Sequence, residues 1–87
     1  MGYKERFQIE YRDLFTRITK LEDMLSKWEY DELDFTPVSS KELLSAQLAS
    51  MLAYLSILEE RARIEGIDIS VIRDSITKNT IKVNNEY

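Results

Sequence analysis

Apolar residues recur along the first third of the chain at Phe7, Tyr11, Leu14, Ile18, Leu21, Leu25 and Trp28. The steps alternate four and three, the a/d seam of a heptad repeat, and predict a helix over residues 3–29. Neither Pro nor Gly interrupts it, and at ~1.5 Å per residue it would be about 39 Å long. Phe15 and Met24 lie beside the seam and widen it. Residues 30–38 break the pattern as a connector. Pro37 lacks a backbone donor and pushes Thr36 towards an extended conformation. Leu33 and Phe35 alternate with acids there, and one or both are expected to tuck over the end of the helical core.

A second helix is expected over residues 40–65. Ser39 at the N-cap and Glu42 at N3 read as a capping box, with Val38 and Leu43 as its hydrophobic staple. Gly66 then supplies the left-handed residue that ends the helix. The seam of this helix is Leu44, Leu48, Met51, Leu55, Leu58 and Ala62. Leu43, Ala46, Ala49, Leu52, Ala53, Ile57 and Ile64 lie off it. A two-helix hairpin covers only one stripe, so a helix apolar nearly all round calls for further burial, most simply by self-association.

Residues 67–87 are expected to form a short third helix or an extended arm. Asp68 or Ser70 is placed to cap a helix over residues 70–78, with Val71, Ile72 and Ile76 facing inward. The β-branched residues weaken that helix, and Thr80–Val83 alternates as a short strand or arm would. Asn84–Tyr87 reads as a frayed end. The fold class is therefore all-α: an antiparallel hairpin with a third element, one domain over residues 1–87, assembling as a homo-oligomeric bundle.

Composition narrows the chemistry. The 87 residues contain no His and no Cys, two isolated glycines and one proline. Disulfides, Cys/His metal sites, cysteine nucleophiles and histidine bases are excluded, and so are glycine-rich phosphate loops. Neither cofactor nor metal is expected. The adjacent carboxylates Glu59/Glu60 and Glu22/Asp23 diverge by about 100° on a helix and form no acid/base dyad within one chain. The expectation is a protein that is not an enzyme.

The net charge is −4, which argues against a broad nucleic-acid-binding surface but leaves room for a local cluster of cations. The longest nearly apolar stretch, Ala46–Leu58, is interrupted by Gln47, Ser50 and Ser56 and is too short to span a bilayer. A polar start without an apolar signal core, together with the lack of cysteine, points to the cytoplasm.

Two polar patterns are candidates for function. On a wheel of ~100° per residue, Arg6, Arg17, Lys20 and Lys27 share one stripe of roughly 80° bordering the first seam. Glu10 and Asp13 enter the same sector, so the stripe is either an anion site or a solvent face with Arg6–Glu10 and Asp13–Arg17 pairs. In the second helix Gln47, Tyr54 and Arg61 recur every seven residues. They either form an inter-helix network that fixes an oligomer's register or line a groove, with Arg61 on phosphate, Gln47 on a base edge and Tyr54 stacking. Tyr3, Tyr11 and Trp28 are further stacking candidates, although Tyr11 and Trp28 occupy seam positions, which more often face the core. The acids Glu29, Asp31, Glu32 and Asp34 of the connector read either as a solvated loop or as an acidic DNA mimic. The candidate ligand-binding set is Arg6, Tyr11, Arg17, Lys20, Gln47, Tyr54 and Arg61.

The pattern Leu14-x-x-Arg17-x-x-Lys20-Leu21-x-x-x-Leu25, followed by Leu43-Leu44-x-x-Gln47-x-x-x-Met51-x-x-Tyr54-Leu55-x-x-Leu58-x-x-Arg61, resembles a family of small phage and prophage helical-hairpin proteins, also found in crAss-like phages. The resemblance covers about residues 7–66. It implies a phage origin and an antiparallel hairpin. The hairpin is also similar to the anti-CBASS and anti-Thoeris sponges, oligomeric phage proteins that sequester cyclic nucleotide immune signals. No site residue is carried over from them. The resemblance implies a non-enzymatic anti-defence protein in the host bacterial cytoplasm. Its expected partners are a cyclic nucleotide and further copies of itself, with neither membrane nor nucleic-acid polymer. The alternative is a helical inhibitor or adaptor that binds a host defence or phage protein.

Overall fold

The computed structural model describes residues 2–82, with side chains through Ile76. Three helices follow one another: α1 (Tyr3–Glu29), α2 (Lys41–Glu65) and α3 (Ser70–Lys82). Among the described residues there is no strand. The α1–α2 pair is an antiparallel hairpin. Tyr3 meets Glu65, Tyr11 meets Glu59, and at the closed end the Lys41 ammonium lies 5.3 Å from the Trp28 ring centroid and 3.8 Å from Glu29. The long axis of the molecule is 42 Å, about the length that 27 helical residues span.

The two expected seams face each other. Phe7, Tyr11, Leu14 and Ile18 of α1 are buried against Leu58 and Ala62 of α2, with Leu48, Met51 and Leu55 half-buried around them. Near the closed end the buried residues of α1 are Leu21 and Met24, while Leu25 and Trp28 remain half-buried. On a 3.6-residue helix a seven-residue repeat slips by about 20° per heptad. Leu25 nonetheless lies about five turns from Phe7 and keeps its direction, so the burial of Met24 beside Leu21 shows the contact itself moving round α1 towards the closed end.

The helix ends follow local hydrogen-bond supply. The α1 C-terminus closes with the Glu32 N–H donating to the Lys27 carbonyl at 2.7 Å. Asp31 takes the left-handed conformation there, at φ 59°, which an Asp tolerates better than most non-glycine residues. At the α2 N-terminus the cap is Ser40 and not Ser39, because Ser40 Oγ accepts from the Leu43 N–H at 3.1 Å. The shift by one residue makes Leu43 the N3 residue and places Glu42 at N2, so the expected capping box is absent. Val38 and Leu43 are both exposed and form no staple within the protomer. Gly66 ends α2 in the left-handed region, at φ 69°, as its position suggested.

Beyond Gly66 the chain turns back onto the core. Ile67 is buried, and its N–H donates to the Ala62 carbonyl at 2.9 Å. Ile69 and Ile72 pack against the same cluster. Ile76 is half-buried, but Val71 is exposed rather than inward-facing. The Asp68 carboxylate accepts from the Ser70 N–H at 3.0 Å and the Ser70 hydroxyl at 2.8 Å. These bonds hold that carboxyl below its ordinary range. Asp68 thus stands one residue outside the cap, with Ile69 accepting the first helical bond from Arg73.

The third element is a helix and not an arm. Residues 80–82 continue it. Val83 and the Asn84–Tyr87 tail lie outside the described residues. Gln8 Nε2 donates to the Asp68 carbonyl at 2.9 Å and fixes the start of this turn on α1. Among the described residues no helix is long and apolar enough to cross a membrane.

The cap assignment is testable by urea unfolding. Ser40→Ala should destabilise by about 1 kcal/mol, the usual cost of losing an N-cap oxygen. Ser39→Ala should stay within ~0.5 kcal/mol of the parent, as exposed substitutions do.

Candidate functional site

The α1 face beside the core seam opens into a cleft of about 380 Å³. Arg6 and Arg17 stand at its two ends, three turns apart on α1, and Glu10 and Asp13 lie between them. Ile9, Leu14 and the Tyr54 ring of α2 supply the apolar part of the wall. Tyr54 is 41% exposed. Arg17 and Lys20 form no ion pair among the described residues. Asp13 pairs with Arg12, at 3.3 Å, and not with Arg17 as the i,i+4 spacing suggested. The alternation of charge, with cations outside and carboxylates inside, suits a ligand that presents phosphate together with hydrogen-bond donors of a base or sugar.

Only part of the candidate set meets here. Arg6, Arg17 and Tyr54 line the cleft; Lys20 is exposed beyond it, and Lys27 is held by Asp23 at 3.1 Å. Gln47 is exposed on α2, with its Nε2 3.7 Å from Met51 Sδ. Arg61 is committed elsewhere. Its Nε donates to Glu65 Oε2 at 2.9 Å, its Nη2 donates to the Tyr3 hydroxyl at 2.5 Å, and its Cζ lies 5.0 Å from the Phe7 ring centroid. The Tyr3 hydroxyl donates in turn to Glu65 Oε1. Hydrogen bonds from Arg61 and Tyr3 hold the Glu65 carboxyl below its ordinary range. Arg61 therefore fastens the open end of the hairpin.

Tyr11 is a core residue and not a stacking platform. It is fully buried, at 0% exposure, with its ring 5.8 Å from that of Phe15 and tilted by 58°. Its hydroxyl donates to Glu59 Oε2 at 2.8 Å, and Arg73 Nη1 lies 3.8 Å from the same oxygen. Trp28 is half-buried at the closed end, and Tyr3 belongs to the Arg61 cluster.

The cleft wall also includes Ile9, which the heptad pattern had passed over. Ile9 is half-buried and is shared with a shallower hollow of about 270 Å³ bordered by Gln8, Arg12 and Ile72. An apolar residue two positions from the seam, among charged neighbours, was the available signal. The paired carboxylates are held apart, Glu59 by Tyr11 and Glu60 by Arg63. Among the described residues no group of three or more carboxylates is arranged to hold a metal ion.

Burial, and then the hydrogen bond to Glu59, raise the Tyr11 pKa above its ordinary value of 10.0. The folded chain therefore keeps the phenol protonated where the unfolded chain loses its proton. Stability from this group is fully present below about pH 10 and is lost as pH rises above it. In urea unfolding, Tyr11→Phe should cost about 1 kcal/mol at pH 7, from the lost hydrogen bond. Its stability should also fall less than the parent's between pH 9.5 and 11. An equal alkaline loss in both proteins would show that Tyr11 does not titrate with unfolding.

Comparison with known proteins gives one match. The family model described as Sequestin matches residues 1–64. That range takes in α1, the connector and α2 to its penultimate residue, including every residue that lines the cleft. Neither a curated protein nor a solved structure matches. With well over half of its length matched, the two-helix hairpin and the cleft it carries place this chain in the Sequestin family.

Proposed function

We propose that the chain is a stoichiometric trap for a cyclic nucleotide immune signal, made by a phage against its host's defence and working as a homo-oligomer without turnover. The observation that carries it is the convergence of Arg6, Arg17 and Tyr54 on one cleft. Their two guanidinium groups suit phosphate, and the Tyr54 ring suits a base face, which contributes about 1–3 kcal/mol per stacked base. Glu10 and Asp13 offer acceptors to base amino groups or ribose hydroxyls. The family's name points to sequestration, and capture by mass action asks only for differential binding and enough copies.

Calorimetric titration with cyclic dinucleotides, cyclic trinucleotides and cyclic ADP-ribose isomers tests this. At least one member should bind with a dissociation constant in the micromolar range or below. Arg17→Ala should weaken that binding about tenfold to a hundredfold, the loss expected for a charged hydrogen bond of ~1.5–3 kcal/mol. Arg6→Ala should act in the same direction, whereas Lys20→Ala, outside the cleft, should change it less than threefold. Absence of heat with every member of the panel would contradict the proposal.

A further inference from the structure

The exposed side of α2 carries a second heptad seam. Leu43, Ala46, Ser50, Ala53, Ile57 and Ile64 follow one another at steps of three, four, three, four and seven. On a wheel of ~100° per residue they centre about 140° away from the seam that packs on α1. All six are exposed, Leu43 at 61%, Ile57 at 57% and Ile64 at 67%. With Tyr54 on the flank, this face leaves on the order of 500 Å² of largely apolar surface in water. That is near the upper limit for a monomer and over half of the ~800 Å² that each partner contributes to a standard interface.

Three features of the face indicate its occupant. A heptad seam is complementary to another helix carrying the same repeat. The charges at its C-terminal end are already neutralised within the chain, Arg61 by Glu65 and Arg63 by Glu60, so an identical face can approach without burying an unpaired charge. Bulk is unevenly distributed along it. Small residues (Ala46, Ser50 and Ala53) occupy the N-terminal half and middle, and Ile57 and Ile64 occupy the C-terminal half. Side by side in parallel, two such faces would set three successive small layers against each other and leave voids. In antiparallel pairing Ile57 of each copy packs over the small residues of the other, and Leu43 lies towards Ile64.

Resting on the sequestration proposal for the cleft, we infer that a second copy of this chain docks antiparallel on this face, about a two-fold axis near Ala53. The antiparallel arrangement has a consequence for the cleft. Gln47, Tyr54 and Arg61 lie along the flank of this second seam nearest α1, and Tyr54 also lines the cleft. In an antiparallel pair equivalent flanks face each other, so the two Gln47/Tyr54/Arg61 rows meet across the interface. Each Arg6–Arg17 cleft gains a wall from the other copy, and Gln47, which lies outside the cleft in one protomer, comes to its rim.

Light scattering and cross-linking test the inference without any nucleotide. The parent should have the mass of a dimer at micromolar concentration. Ile57→Asp, a change at a residue exposed in the protomer, should have the mass of a monomer with unchanged helical circular dichroism. The native chain has no cysteine, so single Cys variants report geometry directly. A short bismaleimide should join Leu43→Cys to Ile64→Cys in a mixture. It should not join Leu43→Cys to itself, because antiparallel copies of residue 43 stand roughly 30 Å apart. A monomeric parent, an Ile57→Asp protein that remains dimeric, or efficient joining of Leu43→Cys to itself would each overturn the inference. A monomeric parent that still titrates with the nucleotide panel overturns this inference and the oligomer of the proposed function, and leaves the ligand reading standing. A dimer with the expected cross-links that gives no heat with the panel supports the docking surface and overturns the ligand.

Discussion

The Tyr11 hydroxyl has to find a partner from inside the core, and the partner it finds is the carboxylate of Glu59 at 2.8 Å, with Arg73 beside it. One side chain from each helix meets at this point. A buried phenol without an acceptor would cost about 1–3 kcal/mol, so the bond fixes which turn of α2 lies opposite Tyr11. That register in turn sets Arg61 beside Tyr3 and Glu65 at one end and Lys41 beside Trp28 and Glu29 at the other. Tyr54, a little over one turn before Glu59, is then presented to the α1 residues that form the cleft. The hydrogen bond in the core thus positions the surface at which a ligand is proposed to bind.

The hairpin leaves α2 with two unlike faces. One seam is consumed by α1, and the other keeps its apolar residues in water. The stripe of small residues on the second face favours close approach of another helix, and the Gln47/Tyr54/Arg61 row occupies the border between the two faces. In a chain of this size, a core built by one hairpin and extended by a second copy is a physically economical route to a concave site, since a single two-helix layer cannot enclose a nucleotide. Arg61 illustrates how the same residue serves both levels. It closes the open end of the hairpin over Phe7, and its pairing with Glu65 would keep it neutralised at the inferred dimer seam.

Much of the fold was legible in the sequence because both seams are long and regular. Nine of the heptad positions that face the core are also the residues on which the hairpin packs, from Phe7 and Tyr11 to Leu58 and Ala62. Gly66 announced its left-handed conformation for the same local reason. The ends of elements were less legible. Ser39 and Ser40 are both competent caps, and the choice depends on which oxygen reaches the Leu43 N–H. The helical state of residues 80–82 was hidden by their alternation, and the burial of Ile67 depended on the direction in which the chain leaves Gly66. Of the basic stripe, Arg6 and Arg17 line the cleft. Periodicity placed Tyr11 on the core-facing seam, but it could not say that Arg61 would be committed to Glu65 and Tyr3, or that Ile9 would line the cleft, because each of these depends on the register between helices.

The central claim is capture without conversion, and recovery of the ligand tests it most directly. The protein is incubated with the cyclic nucleotide that gives heat in titration, freed of unbound ligand by gel filtration, and denatured by heating. Mass spectrometry of the supernatant then identifies what was held. The account predicts the intact cyclic nucleotide, in an amount matching the number of binding sites and unchanged after prolonged incubation. Recovery of a linearised or cleaved product, or of no nucleotide in the protein fraction, would contradict it.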